Sequence, residues 1–66
     1  MKITLNGEPK DLPAPVTVQE LLDQLVIPAG RVACEVNLKI IKRGVYGNTI
    51  LKEGDTVEII QAIGGG

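Results

Sequence analysis

Alternating hydrophobic and polar residues near the start of the chain predict a β-hairpin. Ile3 and Leu5 alternate with polar neighbours, which is the two-residue period of a half-buried strand. Asn6 and Gly7 follow, and both residue types tolerate a positive φ in a tight turn. A return strand over about residues 8–12 then ends at Pro13, because proline cannot donate to a sheet ladder.

The next segment has the pattern of a short amphipathic helix. Thr17 and Glu20 have the spacing of a capping box, in which each side chain bonds the backbone N–H of the other residue. Val16 and Leu21 have the spacing of a hydrophobic staple across the same helix start. We therefore predict one helix over residues 18–25, which packs by a stripe of four apolar residues: Val18, Leu21, Leu22 and Leu25.

The second half of the chain returns to the strand pattern. Val32, Cys34 and Val36 alternate with polar or small residues, and Asn37 is expected to turn the chain. Residues 39–42 are ambiguous, residues 43–48 are predicted as a loop with at most one strand fragment, and residues 56–63 as a final strand.

This order of elements predicts an α+β domain. Two strands, one helix and two or three further strands give a mixed four- to five-stranded sheet with the helix packed on one face. The first and last strands are expected to lie side by side.

Composition excludes several function classes. The net charge is −1 and Tyr46 is the only aromatic residue, so the chain lacks both the basic field and the stacking surface that nucleic acids require. No apolar run approaches the roughly 20 residues that cross a bilayer, so we expect no membrane partner. The single cysteine, Cys34, is compatible with a reducing compartment, and we expect a cytoplasmic protein.

The chain also lacks the usual means of catalysis. It contains no histidine, which removes the commonest general base and the commonest metal ligand. Cys34 lies on the apolar phase of its strand, which favours a small core residue over a nucleophile. We therefore expect no catalytic residue, no metal site and no bound cofactor.

The printed sequence finishes with Gly64, Gly65 and Gly66, which we expect to form a flexible tail. Without side chains, such a tail can enter a narrow channel of another protein and present the carboxylate of Gly66. A carboxylate becomes reactive once a partner enzyme converts it with ATP to an acyl-adenylate, and sulfide would then leave a thiocarboxylate. A frayed end or part of a linker would have the same composition, and both interpretations stay open at this point.

Four stretches of the sequence together resemble the ThiS family, the sulfur carriers of thiamin biosynthesis, which are ubiquitin-like β-grasp proteins. The resemblance covers essentially the whole chain, and its most specific part is a Gly-Asp turn and strand that lead into terminal glycines. The four stretches are MKITLNG from residue 1, TVQELL from residue 17, LKEGDTVEI from residue 51 and IGGG from residue 63.

This resemblance implies a protein that is a co-substrate and not an enzyme. Residues 1–63 would form the β-grasp domain and residues 64–66 the tail. An E1-like adenylyltransferase would use ATP to adenylate Gly66, a donor such as a cysteine desulfurase would supply sulfur, and thiazole synthase would consume the thiocarboxylate. Gly64 and Gly65 would thread the partner's active site. Similar carriers often have a Pro-Arg pair and a tryptophan near residues 42–47, where this chain has Lys42, Arg43 and Tyr46.

The final strand suggests where a partner docks. If Val57 and Ile59 face the helix, then Glu58, Ile60 and Ala62 lie on the opposite face as a candidate docking patch. Ordinary surface hydrophobic residues would give the same pattern.

Three other functions share parts of this evidence. The small subunit of molybdopterin synthase resembles the chain in fold and also ends in a diglycine. A non-covalent interaction domain would use the sheet and not the glycines. A ubiquitin-like modifier, which joins lysines through Gly66, would share the adenylation step.

Overall fold

The computed structural model describes residues 1–61 as a five-stranded mixed sheet covered on one face by one main helix. The sheet order is β2-β1-β5-β3-β4, with β1 and β5 parallel and every other neighbouring pair antiparallel. The sequence prediction of a mixed sheet with adjacent first and last strands is therefore confirmed. The elements are β1 (Lys2–Leu5), β2 (Glu8–Asp11), α1 (Val18–Gln24), β3 (Val32–Val36), β4 (Lys39–Ile41) and β5 (Thr56–Gln61), with 3₁₀ helices at Ala29–Arg31 and Arg43–Asn48.

Two short hairpins build the outer parts of the sheet, and both turn through residues with positive φ. Asn6 (φ 50°) and Gly7 (φ 84°) join β1 to β2 as predicted. Asn37 (φ 53°) and Leu38 (φ 69°) join β3 to β4. Such turns match the right-handed twist of the paired strands, which is why two residues suffice at each corner.

The helix begins at the predicted capping box. The backbone N–H of Glu20 donates to the Thr17 hydroxyl oxygen at 3.1 Å, and the N–H of Thr17 donates to a Glu20 carboxylate oxygen at 2.8 Å. The predicted apolar stripe is confirmed: Val18, Leu21 and Leu22 are fully buried. The helix ends at Gln24, one residue before the predicted end, and Leu25, the fourth residue of the stripe, is the half-buried C-cap.

The chain leaves the helix through Val26, which adopts an unusual conformation. Its φ is +59°, while the N–H of Val26 donates to Asp23 O at 3.1 Å and the N–H of Ile27 donates to Leu22 O at 2.9 Å. These two bonds form a Schellman motif, whose left-handed position is usually glycine. Val26 is also 86% exposed, so packing within the domain does not compensate for the strain.

Val26→Gly is expected to stabilise the domain. Release of left-handed strain contributes about 1–2 kcal/mol, and the greater freedom of glycine in the unfolded chain offsets about 0.5–1 kcal/mol of it. Urea unfolding should therefore show a gain of roughly 0.5–1 kcal/mol. The matched control is Gln24→Gly at the last residue of α1, which should lower stability by up to about 1 kcal/mol. A Val26→Gly protein less stable than the wild type would contradict this account of the turn.

The core lies between α1 and the inner face of the sheet. Residues 43–48, predicted as a loop, form a 3₁₀ helix that packs against α1 and buries Tyr46 to 2% exposure. The ambiguous stretch before it contains β4. The buried residues are Ile3, Leu12, Val18, Leu21, Leu22, Val32, Cys34, Tyr46, Leu51, Val57 and Ile59. Among residues 1–61, neither α1 nor the 3₁₀ segments are long and apolar enough to cross a membrane.

Candidate functional site

The site of interest is the end of β5, because the glycines follow it in the chain. β5 occupies the centre of the sheet, between β1 and β3, and its register pairs Gln61 with Val32. Residues 62–66 lie outside the described residues, so the roles assigned to Ala62 and the three glycines, and the predicted extent of the last strand to residue 63, stay predictions.

The two faces of β5 are divided as the alternation predicted. Val57 and Ile59 are buried in the core at 0% and 8% exposure. Glu58 is exposed on the opposite face, and Ile60 is 56% exposed there. Opposite Ile60 in the register is Ala33, so two apolar side chains lie together on this outer face. The use of that face for docking stays a prediction.

Asn6 connects the hairpin turn to the last part of β5. Its backbone N–H donates to Val57 O at 2.9 Å, and its side-chain Oδ1 accepts from the Ile59 N–H at 2.8 Å. The parallel register of the two strands reaches only Leu5 and Val57. The Asn6 side chain therefore adds a hydrogen bond to β5 beyond the point where the backbone of β1 turns away. This bond holds β5 in place near its C-terminal end.

Loss of the Asn6 side chain is expected to loosen this end of β5. Asn6→Gly keeps the freedom to adopt positive φ but leaves the partly buried Ile59 N–H without its partner, a loss of about 1–3 kcal/mol. Asn6→Asp retains an acceptor oxygen and should stay close to wild type. Hydrogen exchange at the Ile59 amide, with urea unfolding, measures the effect. Equal protection of that amide in the two variants would show that the side-chain bond is unimportant.

Gln61 lines three surface cavities, and Arg31 lines two of these with it. The first, of about 300 Å³, is lined by Gly30, Arg31, Val32, Ala33, Arg43, Ile60 and Gln61. The second, of about 420 Å³, is lined by Ile27, Pro28, Arg31 and Gln61. Arg31 lines both because it directly precedes the β3 residue that pairs with Gln61. Arg31 was not predicted as a site residue from the sequence, since its position beside the end of β5 follows only from the sheet order.

Cys34 takes no part in this site. Its side chain is fully buried on the inner face of β3, as predicted. Burial, and then the negative charge of Glu35, raise the pKa of the thiol above its ordinary value. The neutral thiol is a poor nucleophile, so Cys34 acts as a core residue. Within residues 1–61, no group of three or more His, Cys, Asp or Glu side chains is arranged to hold a metal ion.

Known proteins resemble this chain over its whole length. The sequence model of the ThiS family matches residues 3–66. A thiazole synthase of Magnetococcus marinus is 44% identical over 66 residues, which are all of this chain but only 20% of that protein. The sulfur carrier protein ThiS of Escherichia coli is 33% identical, with both chains covered completely.

The fold has a close counterpart among solved structures. The crystal structure of the thiamine biosynthesis protein ThiS from Geobacter metallireducens matches with a TM-score of 0.86 and 35% identity, over all of both chains. This match confirms the predicted β-grasp fold.

Proposed function

The chain belongs to the ThiS family, as its resemblance predicted, and we propose that it is a sulfur carrier of thiamine biosynthesis whose reactive group is the carboxylate of Gly66. The observation that carries this proposal is the family match, which extends through residue 66 and so includes all three glycines. The full-length likeness to the E. coli sulfur carrier supports it.

The proposed chemistry requires two steps at the Gly66 carboxylate. First, a carboxylate oxygen attacks the α-phosphorus of ATP on an E1-like adenylyltransferase, which forms the acyl-adenylate and releases pyrophosphate. Second, sulfide attacks the acyl carbon and expels AMP. Where a donor such as a cysteine desulfurase supplies the sulfur as a persulfide, the attack gives an acyl disulfide, which a thiol then reduces while it becomes part of a disulfide itself. The product is a thiocarboxylate, which carries a nucleophilic sulfur.

In this scheme the domain presents its own C-terminus to the partner enzymes. The partner enzymes supply the catalytic groups and the ATP, and the domain supplies a rigid sheet from which the glycines follow. Gly64 and Gly65 have no side chain that would block a narrow active-site channel. We accordingly propose that the protein is a co-substrate, with no bound cofactor of its own.

We propose thiazole synthase as the acceptor of the sulfur. The Magnetococcus protein bears that name and is about five times as long as the part that matches this chain. Sequence of the carrier type and a thiazole synthase therefore occur in one polypeptide there. Two functions that share a chain commonly act on one another, which favours this acceptor over a molybdopterin synthase.

Intact mass spectrometry tests the proposal. The protein is incubated with ATP, an adenylyltransferase proved active on its own carrier, and a sulfide source. We expect a mass increase equal to replacement of one oxygen by sulfur, localised by fragmentation to Gly66. Absence of both the adenylate and the sulfur product would contradict the carrier function and favour a non-covalent interaction domain.

A further inference from the structure

We propose that the surface around the end of β5 binds an acidic segment of thiazole synthase that also carries an apolar side chain. We call it the tail-base surface and define it by Val26, Arg31, Arg43 and Ile60. The inference deepens the proposed function, on which it rests, by naming the docking surface and the chemistry of its partner.

The positive charge of this surface favours binding of an acidic partner. Arg31 and Arg43 line one cavity together, and Arg31 also lines the second cavity at Gln61. The chain as a whole carries a net charge of −1, so two neighbouring guanidinium groups are a local exception. A guanidinium binds a carboxylate through two parallel hydrogen bonds, which fixes orientation as well as affinity.

The same cavity has an apolar wall beside its arginines. Ala33 and Ile60 are paired in the register and both face outward, and Ile60 is 56% exposed. Protein interfaces typically combine an apolar centre with charged groups at the rim. A partner segment with a carboxylate next to an apolar side chain would satisfy both parts of the cavity.

Val26 provides a second, independent indication of a contact surface. It is strained at φ +59° and is 86% exposed, so its side chain is unfavourable in the free domain in two ways. Val26 does not itself line the second cavity, but its chain neighbour Ile27 does, so the two are adjacent along the backbone. The Schellman motif accounts for the left-handed backbone at this position but not for a β-branched side chain there, and strained residues cluster at functional sites. Covering the Val26 side chain with an apolar partner would remove its exposure.

The location suits the task of presenting the glycines. Three residues of the tail-base surface, Arg31, Arg43 and Ile60, line a cavity together with Gln61, the last described residue of β5. A partner that binds here is held within a few residues of Gly66, which raises the effective concentration of the reactive group at the partner's active site.

Isothermal titration calorimetry against the cognate thiazole synthase tests the charges. We expect Arg31→Glu and Arg43→Glu each to weaken binding by about tenfold or more, and wild-type affinity to fall as salt rises. The matched control is Lys39→Glu, which makes the same charge change on exposed β4 at the opposite end of the β3 register. It should change affinity less than about twofold. Arg31→Gln repeats the test without introducing a negative charge.

Val26→Gly distinguishes a binding role from a structural one. It should bind thiazole synthase more weakly although it is the more stable protein, a combination that a purely structural role would not produce. The inference is overturned if the arginine variants and Val26→Gly bind as tightly as the wild type, or if Lys39→Glu weakens binding as much as they do.

Failure of this inference is distinguishable from failure of the proposed function. If wild-type protein acquires sulfur at Gly66 but the arginine variants bind and donate it normally, only the tail-base surface is wrong. If wild-type protein takes up no sulfur and does not bind thiazole synthase, the carrier function itself is contradicted, and the docking partner with it.

Discussion

Deletion of Gly66 is expected to abolish sulfur acquisition completely. The carboxylate would then belong to Gly65, one residue nearer the domain and about 3.5 Å short of the position that the partner's active site is built to receive. A displacement of this size removes the near-attack geometry on which adenylation depends. Intact mass spectrometry after incubation with ATP, adenylyltransferase and sulfide should show no product with this variant.

The control for this deletion is the stability of the domain. The strands and helices that the structure describes all lie before Gly66, within residues 1–61, so the thermal midpoint of the shortened protein should equal that of the wild type. A chain with one alanine added after Gly66 should also be inactive, since it moves the carboxylate in the other direction. Sulfur acquisition by the shortened chain at the wild-type rate would show that Gly66 is not the reactive residue.

Tyr46→Ala is expected to unfold a large fraction of the protein. Tyr46 is 2% exposed, lies in the 3₁₀ helix that packs against α1, and is the only aromatic residue in the chain. Truncating a buried aromatic side chain to alanine costs about 3–5 kcal/mol through lost burial and a residual cavity. Domains have a total stability of about 5–15 kcal/mol, and a small one lies near the lower limit. Thermal unfolding followed by circular dichroism measures the loss.

Tyr46→Phe is the matched control, because it keeps the ring and removes only the hydroxyl group. Within the described part of the chain, every buried side-chain oxygen or nitrogen has a hydrogen-bond partner. The Tyr46 hydroxyl is therefore not a buried, unpaired polar group whose removal would itself change stability strongly. We expect a change below about 1 kcal/mol. An equally large loss in both variants would show that the hydroxyl, and not the packing of the ring, is the source of stability.

Local signals were sufficient to predict the main elements of the fold. The alternation at Ile3 and Leu5, the Asn6-Gly7 turn and the capping box at Thr17 each depend on residues within a few positions of one another. Each of these features is present in the structure. The division of β5 into a buried and an exposed face was also predictable, because strand periodicity alone fixes it.

The features that were not predicted depend on contacts distant in sequence. Two glycines near Tyr46 favoured a loop, whereas packing against α1 helps to stabilise the 3₁₀ helix that buries the ring. Val26 was not expected at positive φ because β-branched residues avoid that region. Arg31 and Arg43 are brought to one cavity by the order of the strands, which no local pattern encodes.

The position of β5 also governs how the nascent chain folds on the ribosome. β5 follows the other four strands in sequence, yet its insertion between β1 and β3 completes the sheet. Until β5 has been synthesised, β1 and β3 have no strand between them. The pairing of β1 with β5, which spans more than fifty residues, cannot form before then. A chain cut short by premature termination would lack the middle of its sheet and expose its core to proteases. A folded domain therefore forms only after β5 has been made, so a chain cut off before the segment from which the glycines follow should not accumulate as folded protein.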